Sequence, residues 1–108
     1  MAHDPHLAAL LADAAGRRQG ASAKRMFGGA CWLLNGHMLC FAQEGRFMFR
    51  VGKAQEPALL DLPGVEPMIH AGRRMGGFVF VDADAAIDEG LDVWVQRAAD
   101  FVGSLPPK

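Results

Sequence analysis

The sequence predicts an α+β domain in two layers, an antiparallel sheet of about five strands with helices packed on one face. Three observations carry this. Strand-length apolar stretches cluster in the middle of the chain, apolar residues at helical spacing mark both ends, and an Asn-Gly pair at 35–36 joins two of the strand-like stretches. Strands grouped between helices favour segregated α+β packing over alternating parallel units. The predicted order is α-β-β-β-α-β-β-α.

The first helix opens at Asp4-Pro5, an N-cap acid before a proline at the first helical position. Leu7, Leu10, Leu11 and Ala14 line one face, and Gly16 ends it. Residues 17–23 read as a polar connection. Residues 30–34 and 37–42 flank Asn35-Gly36, the strongest short hairpin signal. Gln43-Glu44-Gly45 turns the chain into a third strand over residues 46–51. Residues 54–60 form a short helix stopped by Pro63-Gly64. Residues 65–70 suit an edge strand, because Pro67 cannot donate to a ladder. Residues 78–81 form a further strand. Asp82 or Asp84 caps the last helix, which presents Ile87, Leu91, Trp94, Val95, Ala98 and Val102 on one face. Gly90 weakens its start, and Gly103 with Pro106 finishes it.

A two-residue Asn-Gly loop pairs Leu33 with Met38, Trp32 with Leu39 and Cys31 with Cys40. A three-residue second turn pairs Phe41 with Phe47 and Leu39 with Phe49. Side chains alternate along strands, so Trp32, Leu34, Leu39, Phe41, Phe47, Phe49 and Val51 share the core face. Cys31, Leu33, Met38, Cys40, Met48, Arg46 and Arg50 share the other. Met adapts to binding partners and Arg is enriched at interfaces, so this second face is a candidate contact surface. Cys31 opposite Cys40 would place the thiols within reach of a strained, labile disulfide, a candidate redox switch.

The 108 residues are 51% apolar and 21% charged, the balance of one soluble globular domain spanning 1–108. No apolar run spans a bilayer and no signal peptide is visible, so the expected location is cytoplasmic, without membrane contact. Net charge is −1 but uneven: residues 1–53 carry +4 and residues 54–108 carry −5. Neither half has the dense basic stripe of a nucleic-acid domain.

One phrase occurs twice. Arg25-Met26-Phe27-Gly28-Gly29 and Arg74-Met75-Gly76-Gly77 each lead into an apolar strand. These glycines precede strands rather than helices and lack a following Lys-Ser/Thr, so they are not phosphate loops. If the two bends are neighbours, Lys24, Arg25, Arg73 and Arg74 could converge on an anion. His3, His6, His37 and His70 are scattered, which gives no metal site. Ser22 and Ser104 lack a nucleophile-elbow context. The acids at 82, 84, 88 and 89 lack EF-hand spacing. No cofactor motif is present, and no catalytic one.

Several of these segments resemble the N-terminal domain of the TfoX/Sxy competence regulators. They are residues 24–29, Leu33-Leu34-Asn35-Gly36, Arg50-Val51-Gly52, Pro67-Met68, Gly72-Arg73 with Met75 and Gly77, Trp94-Val95, and the closing Ser-Leu-Pro-Pro-Lys. The resemblance implies a secretion-chaperone-like architecture and a bacterial source, and it supplies no catalytic residues. Its two-domain members regulate competence genes alongside a transcription activator and carry a further C-terminal domain. This chain ends where that domain would begin, so the resemblance implies a stand-alone domain. The resulting expectation is a non-enzymatic regulatory or interaction domain. It would bind a protein partner or a second copy through Met38, Met48, Arg46 and Arg50. The alternatives are a small-anion or nucleic-acid module using Lys24, Arg25, Arg73 and Arg74, and a Cys31/Cys40 redox switch. Nucleic acid is not expected for this domain alone.

Overall fold

The computed structural model describes residues 5–26 and 29–107. The Asp4 cap, His3, the Phe27-Gly28 part of the first glycine phrase, and Lys108 lie outside them. The element order is α1 (Pro5–Ala15), β1 (Ala21–Met26), β2 (Gly29–Leu34), β3 (His37–Gln43), β4 (Arg46–Arg50), α2 (Glu56–Leu59), β5 (Val65–His70), β6 (Arg73–Asp82), α3 (Ala83–Glu89) and α4 (Leu91–Val102). One antiparallel sheet takes the order β1-β2-β3-β4-β6-β5, and the helices pack on one side of it. The α+β class and two-layer plan are as expected. The strand count is six rather than five, because residues 21–26 pair with β2 along their whole length. This strand is polar and almost wholly exposed, so it carries no alternating apolar signal.

Asn35 and Gly36 both take positive φ, 53° and 86°, which closes the two-residue hairpin with the twist that strands favour. Leu34 faces His37 and Leu33 faces Met38, as the turn dictates. The register then shifts. Leu39 bulges out of the ladder, so Trp32 faces Cys40 and Cys31 faces Phe41. The second turn is shorter than expected: Gln43 pairs with Arg46, Phe41 with Met48 and Cys40 with Phe49. Two positions change faces as a result. Cys40 joins the core and Phe41 leaves it. The direct Cys31–Cys40 pairing does not form.

Two rows of residues define the sheet. Ala23, Trp32, Cys40, Phe49, Val79 and Pro67 run across all six strands on the helix side. Lys24, Cys31, Phe41, Met48, Phe80 and Glu66 run beside them on the other side. The helix side is closed by Leu7, Leu11, Trp94, Val95, Ala98 and Val102. Trp94 stacks on Phe49 with ring centroids 5.4 Å apart. Each large side chain buried there stabilises the fold by roughly 1.5–3 kcal/mol.

The last helix divides at Gly90, whose φ of 113° breaks the helical path. Asp82 caps the first part by accepting from the Ala85 amide. Ile87 stays 44% exposed, outside the shared core face assigned to it, because the break reorients α3 against α4. Pro67 does sit in an edge strand. The β6 strand begins at Arg73, five residues before the expected start, and joins β5 through Ala71-Gly72, both at positive φ. After α4, the chain returns to the β2–β3 hairpin, where His37 Nε2 lies 2.6 Å from the Pro106 carbonyl oxygen.

Candidate interaction face and basic pocket

The helix-free face of the sheet carries a second apolar cluster. Cys31, Phe41, Met48, Met68 and Phe80 are buried at its centre, and Met26, Leu33, Met38 and Phe78 are half-buried around them. All nine residues come from strands, and all six strands contribute. Pairing from strand to neighbouring strand sets these side chains side by side, so the cluster runs continuously from edge strand β1 to edge strand β5. Phe41 and Phe80 meet edge to face, with centroids 6.3 Å apart. The Arg46 guanidinium lies 3.5 Å above the Phe80 ring and covers it. That cation–π contact is worth about 0.5–2 kcal/mol.

The expected contact residues therefore separate into two groups. Met48 has no exposed surface and is a core residue of this face. Met38, Arg46 and Arg50 remain half-exposed on or beside it. Phe41 enters the face in place of Cys40.

The basic residues also separate. Lys24 and Arg25 are on β1, at one margin of the sheet, whereas Arg73 and Arg74 are on β6, beside the opposite margin. Arg74 is committed to Glu56, with Nη2 donating to Oε2 at 2.9 Å. The other carboxylate oxygen accepts from the Gly77 amide at 2.8 Å. Glu56 is the one buried charged side chain among the described residues. Burial alone would raise its pKa. The Gly77 N–H, the Arg74 hydrogen bond and charge, and the Lys53 charge outweigh that and hold it below the usual carboxylate range. Glu56 carried no sequence signal beyond a carboxylate inside a short apolar helix.

A different basic grouping forms instead. The Gly77 carbonyl accepts from the amides of both Val51 and Gly52, at 2.9 and 3.0 Å, which brings the β4 exit against the Gly76-Gly77 bend. Between them lies a cavity of about 320 Å³ bordered by Arg50, Lys53, Phe78 and Phe101. The Arg50 guanidinium is 5.2 Å from the Phe78 ring and 5.7 Å from the Phe101 ring.

Both cysteines are free and buried. Burial pushes the Cys31 thiol up to about 11. The Cys40 thiol is pushed higher still by burial and by Cys31, with Arg18 acting weakly against the rise. The two belong to different apolar clusters, Cys40 with the helices and Cys31 on the helix-free face. The cross-strand pairing on which the sulfur switch rested is absent.

No group of three metal-ligating side chains occurs among the described residues. None of the helices among them is long and apolar enough to cross a membrane.

The family model described as the TfoX N-terminal domain matches residues 10–102. The chain belongs to that family. The match runs from the middle of α1 to the end of α4, so the TfoX N-terminal domain takes in the whole sheet, the helix-free cluster, most of the helix-side core and the Glu56 contacts. Comparison of this TfoX domain with curated proteins and with solved structures found no match.

Proposed function

We propose that this TfoX domain is a non-enzymatic interaction module of regulatory type, which docks a protein partner on its helix-free sheet face. The observation that carries the reading is the half-buried ring of Met26, Leu33, Met38 and Phe78 around a strand-only apolar cluster. A soluble domain rarely leaves such side chains together on one face without use. Three of the four are Met or Phe, types enriched at interfaces.

Charge narrows the partner. Lys24 stands at the β1 end of the central row and Arg50 at the β4 exit, and neither forms an ion pair with a described carboxylate. Exposed Glu66 closes the same row at its β5 end, so the matching partner is a protein segment with apolar side chains, carboxylates toward Lys24 and Arg50, and a basic group toward Glu66. Electrostatic complementarity of this kind sets orientation and association rate more than affinity.

A photo-crosslinking residue at position 38, with a control at exposed Gln96, tests this in cells. The reading expects a discrete adduct from position 38 alone, at a mass other than twice the chain, and its loss on Leu33→Asp. An adduct at twice the chain mass would assign the face to self-association. Equal labelling from both positions would remove the face from consideration.

A further inference from the structure

We infer that the cavity beside the Gly76-Gly77 bend is a binding site for a small molecule that joins an oxyanion to a flat aromatic ring. The site adjoins the docking face and shares Arg50 and Phe78 with it, whereas Lys53, Gly76 and Phe101 belong to the cavity alone. Arg50 and Lys53 border it, no carboxylate lines it, and neither cation forms an ion pair with a described acid. Glu56, which reaches the same bend, is engaged by Arg74 and the Gly77 amide. The local balance is therefore positive. Guanidinium groups bind phosphate and carboxylate through paired N–H donors, and an ammonium adds a point charge.

Two aromatic side chains, with Ala54 and the glycines at 52, 76 and 77, make up the remaining walls. Phe78 and Phe101 come from β6 and α4, and Arg50 lies within cation–π distance of both rings. That contact holds the guanidinium at the cavity wall rather than free in solvent. A planar ring placed against such a wall gains dispersion and stacking contacts, as bases do on aromatic side chains. A volume of about 320 Å³ exceeds what a bare phosphate needs and lies within the range of small-ligand pockets.

Glycine keeps the space open. A Cβ at residue 76 would stand 2.9 Å from the Lys53 Cε. Residue 76 does not need positive φ, so an alanine there displaces a flexible ammonium arm without straining the backbone.

Adenosine monophosphate is the probe, with inorganic phosphate and adenosine as its two halves. Amide shifts are followed by NMR in dilute buffer. The expected result is a saturable shift of Gly52, Lys53 and Gly76 with the monophosphate, and weaker binding of either half alone. Arg50→Met and Lys53→Met should each lower affinity roughly tenfold, the loss of one charge-assisted bond. Gly76→Ala should weaken binding while the melting temperature holds. No shift at these amides, or undiminished affinity in both charge variants, overturns the inference. So does phosphate binding as tightly as the monophosphate. A short single-stranded oligonucleotide that binds more tightly and shifts Lys24 and Arg25 would overturn it in favour of a nucleic-acid surface.

Discussion

Glu56 accepts from the Gly77 amide at 2.8 Å and from the Arg74 guanidinium at 2.9 Å, and so ties α2 to the middle of β6. The second glycine phrase thus has a structural role, since its arginine and its last glycine grip one buried carboxylate.

Glu56→Ala leaves the Gly77 amide without its acceptor and should cost about 1–3 kcal/mol in urea unfolding. Arg74→Met should cost less than about 1 kcal/mol, because the Arg74 side chain is 58% exposed and solvent screens its charge. The pH dependence follows from the lowered Glu56 pKa. A carboxyl with a depressed native value stabilises the fold above its unfolded value and loses that contribution as pH falls through the native one. The stability gap between the native chain and Glu56→Gln should therefore narrow as urea midpoints are taken from neutral pH into acid.

Gly77 has φ +88° and its Cβ position lies 3.2 Å from the Lys53 backbone nitrogen. Gly77→Ala should destabilise by at least about 1–2 kcal/mol, the cost of an L side chain in that region. Gly76→Ala, which meets only the end of Lys53, should stay within about 0.5 kcal/mol of the parent. Thermal melts of the two variants side by side make the comparison.

Phe49 is fully buried between Trp94 and Phe47, with centroids at 5.4 and 6.0 Å. Phe49→Ala should cost about 3–5 kcal/mol by denaturant titration. Met38→Ala should cost far less, because Met38 borders solvent on the other face.

With Cys31 at about 11 and Cys40 fully buried, neither thiol is a thiolate near neutral pH. Native protein at pH 8 should resist iodoacetamide, both cysteines should alkylate in urea, and mild oxidation should leave two free thiols by mass spectrometry. An internal disulfide in folded protein would contradict the register of β2 and β3.

Much of this was legible in residues whose signal is local. Asn35-Gly36 specified its hairpin, Pro67 its edge position, and Trp32, Phe47 and Phe49 their core face. The polar β1 strand was not legible, since Ala21–Met26 is almost wholly exposed and its pairing depends on a neighbour. The Leu39 bulge was invisible for a related reason. It lets Leu39 and Cys40 both reach the helices, a tertiary gain with no turn residue to announce it. Glu56 could not be singled out because its burial arises where α2 meets β6, far apart in sequence. The expected convergence of Lys24 and Arg25 with Arg73 and Arg74 does not form, because β1 and β6 lie toward opposite margins of the sheet and Arg74 is held by that same Glu56.

The functional account depends on which methionines the helix-free face shows to solvent. Methyl NMR of the methionines with a soluble gadolinium chelate measures this directly. The account expects strong attenuation at Met26, Met38 and Met75 and protection at Met48 and Met68. Attenuation of Met48 equal to that of Met38, or protection of Met38 in the monomer, would contradict it.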